Sequence, residues 1–278
     1  MLRLLNIEYH KLRYSKSSKI LITTYFILIT FIALIASIEF QFGGVQFRVA
    51  DQGIFNFPYI WHFNSYIAAL LKLFLAIVIV SMVSNEYSNR TIKQNLIDGL
   101  SKKEFILSKF LTVVSFALFS TGFLFIVSMI LGLSFSDYTE ASIIFSDLEY
   151  LLAYFVKLTG FFALCMFLGM LIKRSAFALG FLFVWWILES IARGVMEYKI
   201  FRDSNIAENI AQFFPLESMA LLVKEPFSRL NVIQSAATQL GSEFTKDYAV
   251  HWYQLLIVLV WTAVFVYFSY LLLKRRDL

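Results

Sequence analysis

Residues 86–109 have the sequence EYSNRTIKQNLIDGLSKKEFILSK, a polar and basic segment between two long hydrophobic runs. The preceding run covers residues 66–83 and the following run covers residues 110–133. A helix needs about 20 residues to cross the hydrocarbon core of a bilayer, and each run is close to that length. The short polar connection therefore predicts two antiparallel membrane helices that are joined on one side of the membrane.

The rest of the chain is similarly apolar, with 59% hydrophobic, 18% aromatic and 15% charged residues, which is more than a soluble domain buries. Further hydrophobic runs of helical length occur at residues 20–38, 150–172, 176–195 and 252–273. We therefore predict an all-α integral membrane protein, in which residues 1–278 form a single domain with six transmembrane helices.

The positions of the charged residues predict the orientation of these helices. With six spans, fifteen of the 24 Lys and Arg residues but only five of the 19 acidic residues fall on the side of the N-terminus. Basic residues near the ends of spans are retained in the cytosol. Both termini and the segment 85–104 are thus expected to be cytosolic, and the segment 196–251 is expected to form a small helical region on the outer side.

This asymmetry also explains the net charge of +5, which in a soluble protein would suggest a nucleic-acid partner. Here the positive charge faces anionic lipid headgroups, so a nucleic-acid partner is not expected.

Residues 1–18 contain apolar side chains at helical spacing, at Leu2, Leu5, Tyr9 and Leu12, with basic residues between them. This pattern predicts an amphipathic helix that lies at the inner leaflet in contact with membrane lipids. The alternative is a basic tail that serves only to fix the topology.

Within the polar segment, residues 91–98 are predicted to form a short helix that begins at Thr91. Ile92 and Leu96 lie on one face of this helix, and we expect that face to dock to a protein partner. Gly99 is expected to end the helix, because glycine adopts the left-handed conformation at little cost.

A second helix is predicted to start directly after this glycine. Ser101 and Glu104 have the spacing of a capping box, which would begin a helix that continues into the run 110–133. The order is therefore helix, stop, cap and helix, with no flexible linker, and this arrangement is suited to transmitting a displacement.

Motifs of catalysis, nucleotide binding and metal binding are missing from the sequence. There is a single cysteine, Cys165, the three histidines have no HExxH spacing, and no GxxxxGK[ST] phosphate loop is present. We expect neither a catalytic residue nor a cofactor in this chain, so that ATP-driven work would come from a partner.

Four charged residues lie inside the hydrophobic runs, where a charge costs about 2.5–3.5 kcal/mol at a helix centre. Lys72 and Lys157 are each predicted about 10 Å from the outer end of a span. They either snorkel or form ion pairs, or they line an outer vestibule and contact substrate. Glu189 and Arg193 are four residues apart and are expected to pair on one helix face.

The polar segment and its flanks resemble the permeases of type-2 ABC exporters. The residues that carry the resemblance are Glu86, Thr91, Gly99, Ser101, Lys102 and Lys109. Residues 6–19, NIEYHKLRYSKSSK, resemble the amphipathic connecting helix of that family. Members usually have Gly before the Thr and Pro at the break, where this chain has Arg90 and Gly99.

The resemblance implies a permease subunit of an ATP-driven exporter in the plasma membrane, expected to be the bacterial cytoplasmic (inner) membrane. Its implied partners are a second permease subunit, identical or homologous, and cytosolic ABC ATPase subunits that bind ATP and Mg. The segment 85–104 would act as the coupling helix, and substrate would pass between the two permeases. A secondary transporter and a non-transporting membrane scaffold are the alternatives.

Overall fold

Most of the chain is helical. The computed structural model describes residues 2–35, 39–42, 45–48, 53–89, 91–97, 99–200, 204–229 and 247–276. The first helices are α1 (Leu2–Tyr14), α2 (Lys16–Ile35), α3 (Tyr59–Leu70), α4 (Lys72–Ser88), α5 (Thr91–Ile97) and α6 (Lys102–Phe135). They are followed by α7 (Ala141–Ile144), α8 (Glu149–Ile172), α9 (Ser175–Val195), α10 (Ser204–Ala211), α11 (Pro215–Leu221) and α12 (Trp252–Arg275). A π-helical segment, Met196–Ile200, extends α9, and Phe227–Arg229 forms one 3₁₀ turn.

The described helices follow the predicted hydrophobic runs closely. Four helical segments are long and apolar enough to cross a membrane: α6, α7 joined with α8, α9 with its extension, and α12. The pair α3 and α4 makes a fifth if it is one broken span. The first predicted run falls on the 20-residue helix α2, apart from residues 36–38, which lie outside the described residues. The total of six spans stays a prediction.

The second run differs from the straight helix that its sequence predicts. It starts earlier, at Tyr59, and α3 and α4 meet at an angle of 45°. At the bend, the N–H groups of Leu71 and Phe74 donate to carbonyls three residues back, at 3.1 Å each. Three-residue spacing tightens the helix locally and changes its direction.

Helix α8 forms the centre of the bundle, whereas α9 lies at its edge. Of the most apolar 18 residues of the α7–α8 segment, 78% are buried by the rest of the chain. The corresponding share for α9 with its extension is 11%. Close packing of α8 depends on Gly160, because a Cβ there would lie 2.7 Å from a methyl of Val258 on α12. The bundle is thus assembled around α8, and α9 leaves much of its apolar surface uncovered by this chain.

One element departs from the all-α prediction. Strands β1 (Glu39–Phe42) and β2 (Val45–Arg48) pair in an antiparallel hairpin, with Glu39 opposite Arg48. The sequence EFQF alternates polar and aromatic residues, which is the period of a strand. Two glycines separate the strands in the sequence, and glycine pairs are frequent in two-residue hairpin connections.

The predicted outer segment 196–251 does contain short helices. Helices α10 and α11 fall within it, and α11 has Pro215 in its first turn, where the missing N–H is not needed. Residues 230–246 lie outside the described residues.

Candidate functional site

Two carboxylates and two ammonium groups meet where α1, α4 and α6 come together; we call them the charge cluster (Glu8, Lys11, Glu86 and Lys109). Nζ of Lys109 lies 2.7 Å from Oε2 of Glu8 and 2.8 Å from Oε1 of Glu86. Nζ of Lys11 lies 2.7 Å from that same oxygen of Glu86 and 3.7 Å from Oε1 of Glu8. Each carboxylate therefore has two cationic neighbours, and the formal charges of the cluster sum to zero.

Three members of the charge cluster are almost completely buried. Lys109 is 0%, Glu8 is 2% and Glu86 is 4% exposed, while Lys11 reaches the surface. A buried charge that loses its partner costs about 3–5 kcal/mol. Moving α4 or α6 away would therefore leave an unpaired charge in the interior, and α1, which carries one charge of each sign, is bound to both through Glu8 and Lys11.

The short helix α5 is hydrogen-bonded directly to this cluster. The hydroxyl of Thr91 donates to Oε2 of Glu86, and Nδ2 of Asn95 donates to the same oxygen at 3.2 Å. The other oxygen of Glu86 faces Lys11 and Lys109. One side chain, Glu86, thus connects α5 to α1 and α6.

The sequence prediction for the end of α5 is confirmed. Gly99 has a φ of +94°, which is the left-handed conformation. Its N–H donates to the carbonyl of Leu96 at 3.2 Å, and the N–H of Leu100 donates to that of Asn95 at 3.0 Å. This pair of bonds is the Schellman pattern, which satisfies carbonyls at a helix end.

The capping box that starts α6 is confirmed as well. The N–H of Glu104 donates to Oγ of Ser101 at 3.2 Å, and the N–H of Ser101 donates to Oε2 of Glu104 at 2.9 Å. The two helices are therefore joined by a hydrogen-bonded turn.

Lys102, at the first position of α6, connects this region to the end of the chain. Its Nζ donates to the carbonyls of Lys274 and Arg276, at 3.3 and 3.1 Å. The guanidinium of Arg276 donates in turn to the carbonyl of Met170 at the end of α8, at 2.7 Å. The segment is thus held by both neighbouring helix ends.

The apolar face of α5 is turned toward the bundle, whereas the sequence predicted that it would dock to a protein partner. Ile92 is 2% exposed and belongs to the buried core, and Leu96 is partly buried against it. This face packs on the chain itself because α5 is held against the bundle through Glu86. The outward face consists of Lys93, Gln94 and Ile97, and Ile97 is 83% exposed.

The two lysines in the hydrophobic runs have different surroundings. Lys157 is buried on α8, and its Nζ donates to the carbonyls of Ala220 and Val223 at 3.3 and 3.2 Å. Lys72, at the bend between α3 and α4, is half-buried with its Nζ 4.5 Å from the ring centre of Phe161. These contacts favour the structural reading of Lys157, while Lys72 stays a candidate for the pathway.

Glu189 and Arg193 do not form the pair that their spacing predicts. Glu189 accepts a bond from Trp185 at 2.6 Å and from the N–H groups of Leu216 and Glu217 at 3.0 and 3.1 Å. Arg193 pairs with Glu217 at 2.5 Å instead. The N-terminus of α11 offers unpaired N–H groups and a partial positive charge, which attract the Glu189 carboxylate.

Sequence reasoning missed Glu8 and Lys11 as members of a functional site and used Lys109 only in the resemblance. Glu8 is the one acidic residue among residues 1–18. That isolation is a signal, but no local pattern indicates a contact between Glu8 and Lys109, which are 101 positions apart.

Among the described residues, no group of three or more His, Cys, Asp or Glu side chains is placed to hold a metal ion.

A comparison with curated proteins gave no match. The family model of the ABC-2 family transporter protein matches residues 4–278. The match covers nearly the whole chain, and the apolar helices of membrane-spanning length agree with it. The protein is therefore an integral membrane protein that belongs to the ABC-2 family of transporter proteins.

Proposed function

We propose that the chain is the permease subunit of an ATP-driven exporter, and that α5 receives force from a separate cytosolic ATPase. The observation that carries this proposal is the position of Glu86. Its two oxygens bind different elements, α5 on one side and the lysines of α1 and α6 on the other. A push on α5 would therefore change the contacts of three helices at once.

The outward face of α5 is the proposed docking surface for the ATPase. Ile97 is the most exposed of the large hydrophobic residues described, and it lies in the polar segment, outside the predicted spans. An exposed apolar side chain beside Lys93 and Gln94 is typical of a contact that a partner covers. Burying an isoleucine contributes about 1.5–3 kcal/mol to such a contact.

We propose that the protein has six spans in a bacterial inner membrane, with both termini in the cytosol. The asymmetry of its charged residues supports this orientation. The charge cluster and α5 then lie on the cytosolic side, where an ATPase would be found. ATP and Mg would be bound by that partner, since the sequence has no phosphate loop.

The exposed helix α9 supports a second permease subunit as a partner. The rest of the chain leaves its apolar residues largely uncovered, since only 11% of its most apolar 18-residue stretch is buried. A second copy or a homologous permease would cover part of this surface, and substrate would pass between the two. Lys72, the first residue of α4 at its bend with α3, is the charged residue that we propose to line this pathway.

The test of the docking surface is the variant Ile97→Asp, compared with Ile97→Leu. We expect Ile97→Asp to reduce co-purification of the ATPase by at least tenfold, because it places a carboxylate in an apolar contact. Yield and thermal midpoint of the permease itself should not change, since Ile97 is exposed. Ile97→Leu should retain the ATPase.

Retention of the ATPase and of transport by Ile97→Asp would exclude this surface. Ile92→Asp is not a suitable variant for the purpose, because Ile92 is buried and the change would disturb the fold.

One observation favours the alternative of a secondary transporter, namely the break between α3 and α4 next to Lys72, since broken helices form substrate sites in such proteins. Transport that is driven by an ion gradient in vesicles without any ATPase would support that alternative over an ATP-driven exporter. Absence of transport under both conditions, with no substrate-dependent ATP hydrolysis, would favour a membrane scaffold.

A further inference from the structure

A groove of about 1070 Å³ lies between α1, α2 and α6, apart from the charge cluster. Leu5, Tyr9 and Leu12 of α1 form one wall, whereas Glu8 of the same helix points into the bundle. Binding cavities for small molecules have volumes of about 300–1,000 Å³, so this groove is large enough for an elongated ligand.

The depth of the groove matches one leaflet of a bilayer. Its wall on α6 extends from Thr112 to Phe123, which is about 16 Å at 1.5 Å per residue. Half of a hydrocarbon core is about 15 Å. Because α6 begins at its basic end with Lys102, this wall runs from the inner surface toward the middle of the membrane.

The deep part of the groove suits a hydrocarbon chain. Phe116, Phe119 and Phe123 line it. The hydroxyls of Thr112 and Ser115 donate to carbonyls of their own helix, at 3.0 and 2.8 Å. Neither of these two hydroxyls is left to donate to a ligand.

The inner end of the groove is positively charged. Arg3, Arg13 and Lys19 line it and are exposed, and no acidic residue lines the groove. Within the described part of the chain, the side chains of Arg13 and Lys19 make no hydrogen bond or ion pair. Two free cations next to an apolar channel are complementary to an anion that carries a long hydrocarbon tail.

We infer that this groove binds one anionic glycerophospholipid of the inner leaflet. Its phosphate lies between Arg13 and Lys19, and an acyl chain lies along Phe116 and Phe119. The lipid joins α1 to α2 and α6 on the face opposite the charge cluster. This site depends on the insertion of the chain in the membrane with α1 inside, and it does not depend on docking of an ATPase.

The experiment is native mass spectrometry of the full purified chain, titrated with phosphatidylglycerol or with phosphatidylcholine of the same acyl chains. We expect one phosphatidylglycerol to remain bound with at least tenfold preference over phosphatidylcholine. Equal retention of the two lipids would overturn the proposal, because an apolar groove alone would then explain the binding.

Two double variants test the role of the cations. Arg13→Gln with Lys19→Gln should weaken phosphatidylglycerol binding by on the order of tenfold to thirtyfold and leave phosphatidylcholine binding unchanged. The matched control, Lys16→Gln with Arg275→Gln, removes one lysine and one arginine from the same side of the chain outside the groove. An equal loss in both double variants would indicate general attraction to the surface and would overturn the site.

A third variant, Ser115→Trp, tests the acyl channel and keeps all the cations. The indole would fill the channel, so the bound phosphatidylglycerol should be lost although the charges are intact. Undiminished binding to a folded Ser115→Trp protein would place the lipid elsewhere and would overturn the assignment of the groove.

Discussion

Lys109 and Lys157 are both buried in this protein, but their ammonium groups are satisfied in different ways. Lys109 lies between two carboxylates, Glu8 of α1 and Glu86 of α4, at 2.7 and 2.8 Å. Lys157 donates to two backbone carbonyls, those of Ala220 and Val223, at 3.3 and 3.2 Å. Lys109 thus forms side-chain ion pairs with two other helices, whereas Lys157 donates to neutral acceptors near the end of α11.

Under the proposed function, this difference predicts which contacts change when α5 is displaced. The carboxylates around Lys109 stand on separate helices, and Glu86 also binds α5, so the partners of Lys109 depend on how those helices are arranged. The carbonyls around Lys157 belong to one short stretch of backbone and move together. We therefore expect the contacts of Lys109 to respond to force on α5 and those of Lys157 to stay fixed.

The variant with the largest expected effect is Lys109→Met. This change leaves Glu8 and Glu86 buried with only Lys11 as a cation, and we expect a loss of about 3–5 kcal/mol. Transport and the amount of folded protein should fall severely. The measurements are the thermal midpoint of the purified protein and transport in reconstituted vesicles.

The control for this prediction restores the charge balance. Glu8→Gln combined with Lys109→Met removes one charge of each sign and should recover a large part of the thermal midpoint. Lys93→Met, an exposed lysine of α5, should leave the midpoint unchanged. If Lys109→Met were as stable as the wild type, the charge cluster would not hold the helices together.

Lys157→Met, the corresponding change at the other buried lysine, should have a smaller effect. No charge is left unpaired, since the partners of Lys157 are carbonyls, and burying the ammonium group is itself costly. The two carbonyls lose their donor, which gives an expected net loss of about 1–3 kcal/mol. The thermal midpoint should fall modestly, and ATP hydrolysis should remain coupled to transport.

Complete loss of transport in a folded Lys157→Met complex would contradict this expectation. It would indicate instead that Lys157 contacts substrate, which is the reading of this residue that the sequence alone left open.

Local structure in this chain was predictable, whereas the contacts that make the site were not. The helix 91–97, its stop at Gly99 and the cap formed by Ser101 and Glu104 depend on residues within a few positions of each other. Glu8 and Lys109 meet because α1 packs against α6, and no pattern along the chain encodes that arrangement.

Two sequence predictions failed for the same reason. The spacing of Glu189 and Arg193 predicts a pair on one helix, but α11 supplies two backbone N–H donors for Glu189 and a carboxylate, Glu217, for Arg193. Likewise, the apolar spacing of Ile92 and Leu96 is correct for a helix face, yet only the tertiary fold determines that this face turns inward.

The capping box between α5 and α6 offers a prediction of intermediate size. Ser101→Ala removes the acceptor for the N–H of Glu104 and should cost about 1 kcal/mol. Because no buried charge is involved, the thermal midpoint should change much less than in Lys109→Met. Ser101→Thr retains the acceptor and also the hydroxyl that donates to Oε2 of Glu104, so it should keep most of the wild-type thermal midpoint; equal loss in both variants would mean that the cap contributes little.

The hydroxyl of Tyr154, three residues before Lys157 on α8, makes a neutral polar contact whose loss should have the smallest effect. It is a reference for the effects expected at the two buried lysines. The hydroxyl of Tyr154 lies 2.7 Å from that of Tyr25 and 2.8 Å from that of Ser120, and the last two also contact each other. Tyr154→Phe leaves the Tyr25 and Ser120 pair intact, so the expected loss is about 0.6 kcal/mol, the average for a hydrogen bond between membrane helices. The exposed Tyr14→Phe serves as the control. A thermal shift for Tyr154→Phe as large as that for Lys109→Met would show that burial of any polar group, rather than of charge, stabilises this bundle.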